Sequence, residues 1–229
     1  AGVLEASLNR SLSLLRLEYV DLFFLHGKII ADSETEKYDG TTRSIFVEAV
    51  VPTFEKFISQ GRIGFWGISG VGVPAPVMET IEADPRPHAV QVVTNLLDSI
   101  GDLRSFDGPA YPRKILTKCR EMGLGVMGIR AVQAGALTDQ PDRLLADTNP
   151  ENIDFHRAAP FRQLANEMGE SPASIAHRYA LSMDGVSTVV LGVKNRSELK
   201  ECITAAEKGP LPLGDVQRID SLGLRSSIG

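Results

Sequence analysis

The sequence is poor in cysteine and in extended apolar runs. Its 229 residues include only Cys119 and Cys202, which lie far apart and form neither a CxxC pair nor a metal-ligand spacing. We therefore expect two small core residues in a reducing, cytoplasmic setting rather than a disulfide framework. No run is long and uncharged enough to span a membrane, and no secretory signal pattern opens the chain.

An excess of basic residues is also missing. The formal net charge is −5 and the sequence pI is about 5.4. Nucleic acids and anionic membranes attract basic surfaces, so we expect neither as a partner. The first residue is Ala1 rather than Met, which indicates either a processed chain or a piece of a longer one.

Several catalytic signatures are absent as well. There is no HExxH or comparable ligand spacing, so we predict no metal site. There is no GxSxG turn, which argues against a serine hydrolase. No strand-like segment is followed by GxGxxG; the GISGVGV segment contains GxxGxG in the wrong register for a dinucleotide-binding turn.

What the chain does contain is a regular alternation of strand-like and helix-like segments. The predicted strands are YVDLFFLH, IGFWGIS, HAVQVVTN, GVMGIR and VSTVVLGV. Amphipathic helices precede, separate and follow them, and Ser171 with Pro172 is a typical helix start. The polar segment at 138–154 interrupts the alternation and is predicted to be a loop.

This alternation predicts an α/β fold with a parallel sheet in a single domain over residues 1–229. Two architectures fit, a doubly wound open sheet and a (β/α)8 TIM-type barrel. The missing GxGxxG turn favours the barrel. Both architectures place ligands at the carboxyl ends of the strands, which makes the polar residues there the candidate site.

The strand ends resemble those of the aldo-keto reductase family. The resemblance covers about residues 4–207 and rests on five segments in the family's order, which are LEYVDLFFLHGK, GRIGFWGIS, VQVVTNLLD, GVMGIRAVQAGALTD and SPASIAHRYALSMDGVSTVVLGVKNRSELKE. These segments are similar to the family's fourth to eighth barrel strands. The resemblance implies hydride transfer between NAD(P)H and a small carbonyl, alcohol or sugar-like substrate.

The resemblance also implies roles for individual residues. His26 would be catalytic, donating a hydrogen bond to the substrate carbonyl and stabilising negative charge as it develops there. The implied cofactor-binding residues are Ser69 and Gln91 at the nicotinamide carboxamide, Arg130 beside the nicotinamide or a phosphate, and Gly192, Lys194, Asn195 and Glu198 in the loop after the last strand.

Two departures from the family pattern matter. Where NADP-preferring members place an arginine, this chain has Glu198, and a carboxylate there favours NAD over NADP. The family's proton-donating Tyr, with its supporting Asp and Lys, lies on the first three βα units, and no residue here matches these three. We therefore expect an N-terminally truncated barrel of about five βα units that is inactive alone.

Two other functions stay open from the sequence. A chain without the Asp/Tyr/Lys set suits a non-catalytic, cofactor-sensing or scaffolding member of the same family. A phosphate-binding barrel isomerase is the third, although the strand ends lack the acidic base that such chemistry uses. The sequence indicates neither the substrate nor the oligomeric state.

Overall fold

The structure, a computed structural model, describes residues 1–141, 143 and 145–226. Its main sheet has five parallel strands that lie in the order in which they occur along the chain. Because this order never reverses, the sheet is wound as in a barrel and not doubly wound. The strands are β1 (Val20–Leu25), β2 (Ile29–Ile30), β3 (Thr41–Thr42), β4 (Ile63–Ser69), β5 (Ala89–Val93), β6 (Gly125–Ile129) and β7 (Thr188–Val189), of which β2 and β3 form a separate pair.

Helices alternate with the strands as the sequence predicts. They are α1 (Gly2–Leu15), α2 (Arg43–Ile45), which continues through a wider turn at Phe46–Val50 into α3 (Val51–Ser59), α4 (Pro74–Glu82), α5 (Pro112–Glu121), α6 (Pro150–Arg157), α7 (Ala159–Glu167), α8 (Pro172–Ser182), α9 (Arg196–Lys208) and α10 (Leu213–Asp220). Within the described residues, no helix is both long and apolar enough to cross a bilayer.

Local signals explain where these helices start. At α8, the Ser171 hydroxyl accepts a hydrogen bond from the Ser174 amide at 3.1 Å and Pro172 follows the cap, as predicted. The prediction of a loop at 138–154 was partly wrong, because α6 begins at Pro150 within this segment. Asn149 caps α6 by accepting from the Glu151 amide at 2.8 Å. Asp142 and Leu144 of that segment lie outside the described residues.

The two faces of the main sheet differ in burial. Alternate side chains on one face pack under the helices and form the main core; they include Trp66, Ile68, Val90, Val92 and Val126, all fully buried. The other face carries Leu22, Phe24, Phe65 and Gln91, and Phe65 is 52% exposed. The two faces follow from the period of two along each strand.

Each edge strand of the main sheet is hydrogen-bonded to a neighbouring strand on one side only. In the described part of the chain, β1 pairs only with β4 and β7 only with β6. The predicted last strand, VSTVVLGV, was too long, since only Thr188–Val189 pairs and Val190, Leu191 and Val193 are exposed. The neighbouring strand β6 ends at Ile129, so within the described residues the segment after Val190 has no strand to pair with, which explains the difference.

A second, small core lies at the carboxyl end of β5. Val93, Ile100, Phe106 and Ala110 form it, and Tyr38 of the loop after β1 packs against it. The Tyr38 hydroxyl also accepts a hydrogen bond from the Asp107 amide at 3.2 Å. The loops after β1 and β5 are therefore joined above the strand ends.

Candidate active site

Three of the predicted residues lie side by side at the carboxyl end of the sheet. Ser69 on β4 is in register with Gln91 on β5, and His26 directly follows Leu25, which is in register with Ile68. By the alternation along each strand, all three share the face that carries Phe24 and Phe65. Neighbouring strands are about 4.8 Å apart, so these side chains span about 10 Å across three strands.

Their polar groups are available to a ligand. His26 is exposed, Gln91 is half-buried and Ser69 is buried at 8% exposure. Within residues 1–141, 143 and 145–226, no hydrogen bond involves any of these three side chains. Polar groups at a sheet end are normally paired with protein or water, so a concentration of unpaired ones suits a binding site.

Gly70, which follows Ser69, is glycine for a steric reason. Its amide donates to the Gln91 carbonyl at 2.7 Å, and a Cβ at this position would lie 2.7 Å from the same oxygen. A larger residue would push β4 away from β5 at this point. Gly70 therefore keeps Ser69 and Gln91 close together.

Arg130 lies at the end of β6, and its guanidinium is turned to carboxylates of the protein. It pairs with Glu151 on α6, a side chain that is 3% exposed, and lies 3.4 Å from Asp102. Its Nε also donates to Gln133 at 3.0 Å. Arg130 therefore borders the predicted site with a charge that the protein already neutralises.

The predicted cofactor loop after β7 faces a cavity. A space of about 450 Å³ lies between the loop after β6 and the start of α9. Gly192, Lys194 and Glu198 line it from one side, and Val132, Gly135 and Thr138 line it from the other. An adjoining space of about 420 Å³ is lined by Arg130 as well as by Gly192 and Lys194. The structure thus brings four of the predicted cofactor residues to one crevice.

Asn195 and Glu198 cap α9 reciprocally. The Asn195 side-chain oxygen accepts from the Glu198 amide at 3.0 Å, and its Nδ2 donates to Glu198 Oε1 at 2.9 Å. Glu198 Oε2 accepts from the Lys194 amide at 2.8 Å, and the Lys194 ammonium lies 3.6 Å away. A carboxylate already occupies the amide donors at this helix start, where a phosphate would otherwise be favoured.

Two residues at this crevice were not singled out as binding residues from the sequence. His177 on α8 lines both spaces, and its Nε2 lies 4.0 Å from the Cys202 sulfur. Burial lowers the pKa of His177 below the ordinary 6.5, and burial raises the pKa of Cys202. No spacing rule relates α8 to α9, so only the fold brings this pair together.

Neither cysteine is paired. Cys119 and Cys202 are both free and buried, and burial raises the pKa of Cys119 to about 12. Among the described residues, no group of three or more His, Cys, Asp or Glu side chains is arranged to hold a metal ion.

A parallel α/β sheet whose strands follow chain order is typical of barrel-type folds. The chain matches the model of the Aldo/keto reductase family over residues 2–223. It therefore belongs to the aldo/keto reductase family, an oxidoreductase family, as the five resembling segments predict.

Named relatives and solved structures agree with this assignment. The chain is 22% identical over 227 residues to the oxidoreductase YqkF of Bacillus subtilis and 24% identical over 219 residues to L-galactose dehydrogenase of Arabidopsis thaliana. The two matches cover 95% of this chain, which spans 65% of the length of YqkF and 59% of the length of L-galactose dehydrogenase.

Two solved structures share the fold. The holo form of aldo-keto reductase AKR11C1 from Bacillus halodurans superposes with a TM-score of 0.68 at 20% identity. The glycerol dehydrogenase AKR11B4 from Gluconobacter oxydans superposes with a TM-score of 0.69 at 18% identity. In each case 96% of this chain is covered, against 64% and 63% of the other chain.

Proposed function

We propose that this chain is the cofactor-binding part of an oxidoreductase that passes hydride between a nicotinamide cofactor and a small carbonyl or alcohol. The observation that carries the proposal is the row of His26, Ser69 and Gln91 across β1, β4 and β5, together with the crevice at the loops after β6 and β7 of the same sheet. The acidic net charge and the absence of a basic patch in the sequence support a small-molecule partner rather than nucleic acid or a membrane. The two buried, unpaired thiols support a reducing, cytoplasmic location.

The cofactor, when bound, supplies the hydride or accepts it. Ser69 and Gln91 have free polar groups on adjacent strands and would hold its carboxamide. Gly192, where a side chain would meet open space, leaves room beside the crevice, and Arg130 and Lys194 border it, while Asn195 caps α9 next to it. These residues fit a nicotinamide dinucleotide in size and polarity.

NAD is the proposed cofactor rather than NADP. The Glu198 carboxylate accepts from the Lys194 amide and the Asn195 side chain at the α9 start. A 2′-phosphate there would meet this negative charge, whereas ribose hydroxyls could donate to it. Lys194 already neutralises Glu198 in part, at 3.6 Å, so it offers little extra charge to a phosphate.

His26 is proposed to orient the substrate and to stabilise the charge that develops on its oxygen. It is exposed on the ligand face, directly beside the strand that carries Ser69. A preplaced donor of this kind supplies several kcal/mol of transition-state stabilisation, roughly 3 kcal/mol per donor in studied enzymes.

We further propose that the described sheet is strands four to eight of a (β/α)8 barrel, within a single domain over residues 1–229, and that three more βα units complete it. The one-sided edges of β1 and β7 and the exposed Phe65 on the inner face support this, because a closed barrel leaves neither. Those units would also supply the proton-donating Tyr with its Asp and Lys.

The experiment for the enzymatic proposal compares variants of the complete native protein in an aldehyde-reduction assay with NADH. We expect His26→Ala to lower kcat by at least about a hundredfold while NADH affinity changes little. The matched control is His156→Ala, which removes an exposed histidine on α6. Unchanged turnover in the His26 variant would contradict the assigned role.

The alternative is a non-catalytic, cofactor-sensing or scaffolding protein. It is favoured by the positions of the four tyrosines. Tyr19 precedes β1, Tyr38 lies between β2 and β3, Tyr111 immediately precedes α5 and Tyr179 is buried on α8, so none directly ends a strand of the main sheet. The intact mass of the native protein separates the two functions. A native protein about 90 residues longer favours the enzyme, and one that starts at Ala1 favours the alternative.

A further inference from the structure

A buried polar network lies behind the crevice, between the loops that follow β5 and β6. Its centre is Gln133, which is 0% exposed and uses its whole amide. The Gln133 oxygen accepts from Asn95 Nδ2 at 3.2 Å and from Arg130 Nε at 3.0 Å. Its nitrogen donates to the Ser99 hydroxyl at 3.1 Å and to Asp154 Oδ2 at 2.8 Å. Burial of so many polar groups is costly unless each is paired, as here.

Asn95 extends the network to the backbone of both loops. Its Nδ2 donates to the Ser99 carbonyl at 2.9 Å and to the Arg130 carbonyl at 3.2 Å. Its oxygen accepts from the amides of Leu97 and Ser99 at 3.1 and 3.2 Å. Asn95 and Gln133 together therefore fix the loop after β6 to the loop after β5 and, through Asp154, to α6.

The loop that they fix is strained. Arg130, Gln133 and Ala134 have positive φ angles of 58°, 46° and 48°, although none is glycine. Each such conformation costs roughly 1 kcal/mol or more and persists only where the surroundings impose it. The hydrogen bonds of the buried network are the interactions that impose it here.

The opposite side of the strained loop is a wall of the crevice. Val132, Ala134 and Gly135 line the space of about 420 Å³, across from Gly192 and Lys194. Gln133 lies in the chain between Val132 and Ala134, which both belong to this wall. A change in the network would therefore move the wall that faces the cofactor loop.

We infer that Gln133 is a positioning residue for the cofactor: through Asn95 and Asp154, it holds the strained 130–135 loop in the shape that leaves the crevice open to a dinucleotide. Gln133 itself does not line the crevice and touches no ligand there. The inference rests on the proposed function, because it concerns the same cofactor.

The hydrogen bonds made by Gln133 require a side-chain amide. The side chain accepts two hydrogen bonds and donates two, the second of them to the Asp154 carboxylate. A glutamate would turn the donors into a carboxylate facing Asp154, and a methionine of similar volume would remove all four of these hydrogen bonds.

The test uses NADH as the probe and the full chain. We expect Gln133→Met to weaken NADH binding by about tenfold or more, read by nicotinamide fluorescence, and to reduce hydrogen-exchange protection at 130–135. The control is Thr80→Val in α4, where another fully buried polar group loses its hydrogen bond, here to the Pro76 carbonyl. Its NADH affinity should equal that of the wild type even when its Tm falls as much.

A second pair of variants covers a Gln133→Met chain that does not fold. Asp154→Asn keeps an acceptor for Gln133 and should retain affinity, whereas Asp154→Leu removes it and should weaken binding. Equal NADH affinity in wild type, Gln133→Met and Asp154→Leu would overturn the inference alone. Failure of the wild-type chain to bind NADH and NADPH would instead overturn the proposed function, and the inference with it.

Discussion

The Glu198 carboxylate gives the sharpest prediction about the cofactor. Replacing it by glutamine removes one negative charge from the start of α9 but keeps an oxygen that can accept from the Lys194 amide. Glutamine also serves at the third position of a capping box, so the helix start should be preserved. We therefore expect Glu198→Gln to tighten NADPH binding and to leave NADH binding nearly unchanged.

The size of the effect follows from the charges involved. The Glu198 side chain is 33% exposed, so a water-like dielectric applies. Two unit charges about 5 Å apart then interact by about 0.8 kcal/mol, and a phosphate carries about 1.5 to 2 charges. Relief of this repulsion is about 1 to 2 kcal/mol, which corresponds to roughly tenfold tighter NADPH binding.

The assay is a fluorescence titration of wild type and variant with NADH and NADPH at 0.1 M salt. The matched control is Glu207→Gln, which removes an exposed charge near the other end of α9. Nine residues of helix separate the two positions by about 13 Å, beyond the screening length at 0.1 M salt. An NADPH affinity that stays constant or falls in Glu198→Gln would refute the repulsion argument.

Two further predictions concern stability. Gly67→Ala should lower the free energy of unfolding in urea by roughly 2 kcal/mol, because a Cβ would lie 2.6 Å from the Ala89 carbonyl oxygen and overlap the Phe24 ring. The control is Gly214→Ala in α10, where a Cβ meets no other atom, and it should be neutral or stabilising. Burial lowers the pKa of His177 below 6.5, so the unfolded chain binds a proton there more readily than the folded chain. The free energy of unfolding should therefore fall as pH drops below 6.5, and His177→Leu should flatten this dependence; the same slope in both proteins would contradict the assignment.

Much of the fold follows from local patterns in the sequence. IGFWGIS is a strand at the predicted residues because six of its seven residues are apolar or glycine and helices cover one face. The end of the chain is less regular than predicted. The apolar residues 190–193 suit a strand, yet the strand ends at Val189, since its neighbour β6 ends at Ile129 and the chain turns at Arg130, whose φ is 58°. In α1, Leu15 continues the helical spacing of Leu8 and Leu12 but is exposed.

The candidate site was also only partly predictable from the sequence. His26 and Ser69 are predicted as site residues because each ends an apolar strand, and Gln91, in the middle of β5, lies level with Ser69 through the strand register; their roles stay predictions. The Gln133 network is not found in this way. Its partners Asp154 and Asn95 lie 21 and 38 residues away in the chain, and no spacing rule relates them.

The most direct test is a titration of the 229-residue chain with NADH and NADPH, in which nicotinamide fluorescence and melting temperature are followed together. We expect one cooperative melt, a rise in Tm with added NADH, and weaker binding of NADPH. A cooperative melt that neither cofactor shifts, with no change in fluorescence, would contradict the claim that the row at His26, Ser69 and Gln91 and the crevice at α9 form a cofactor site.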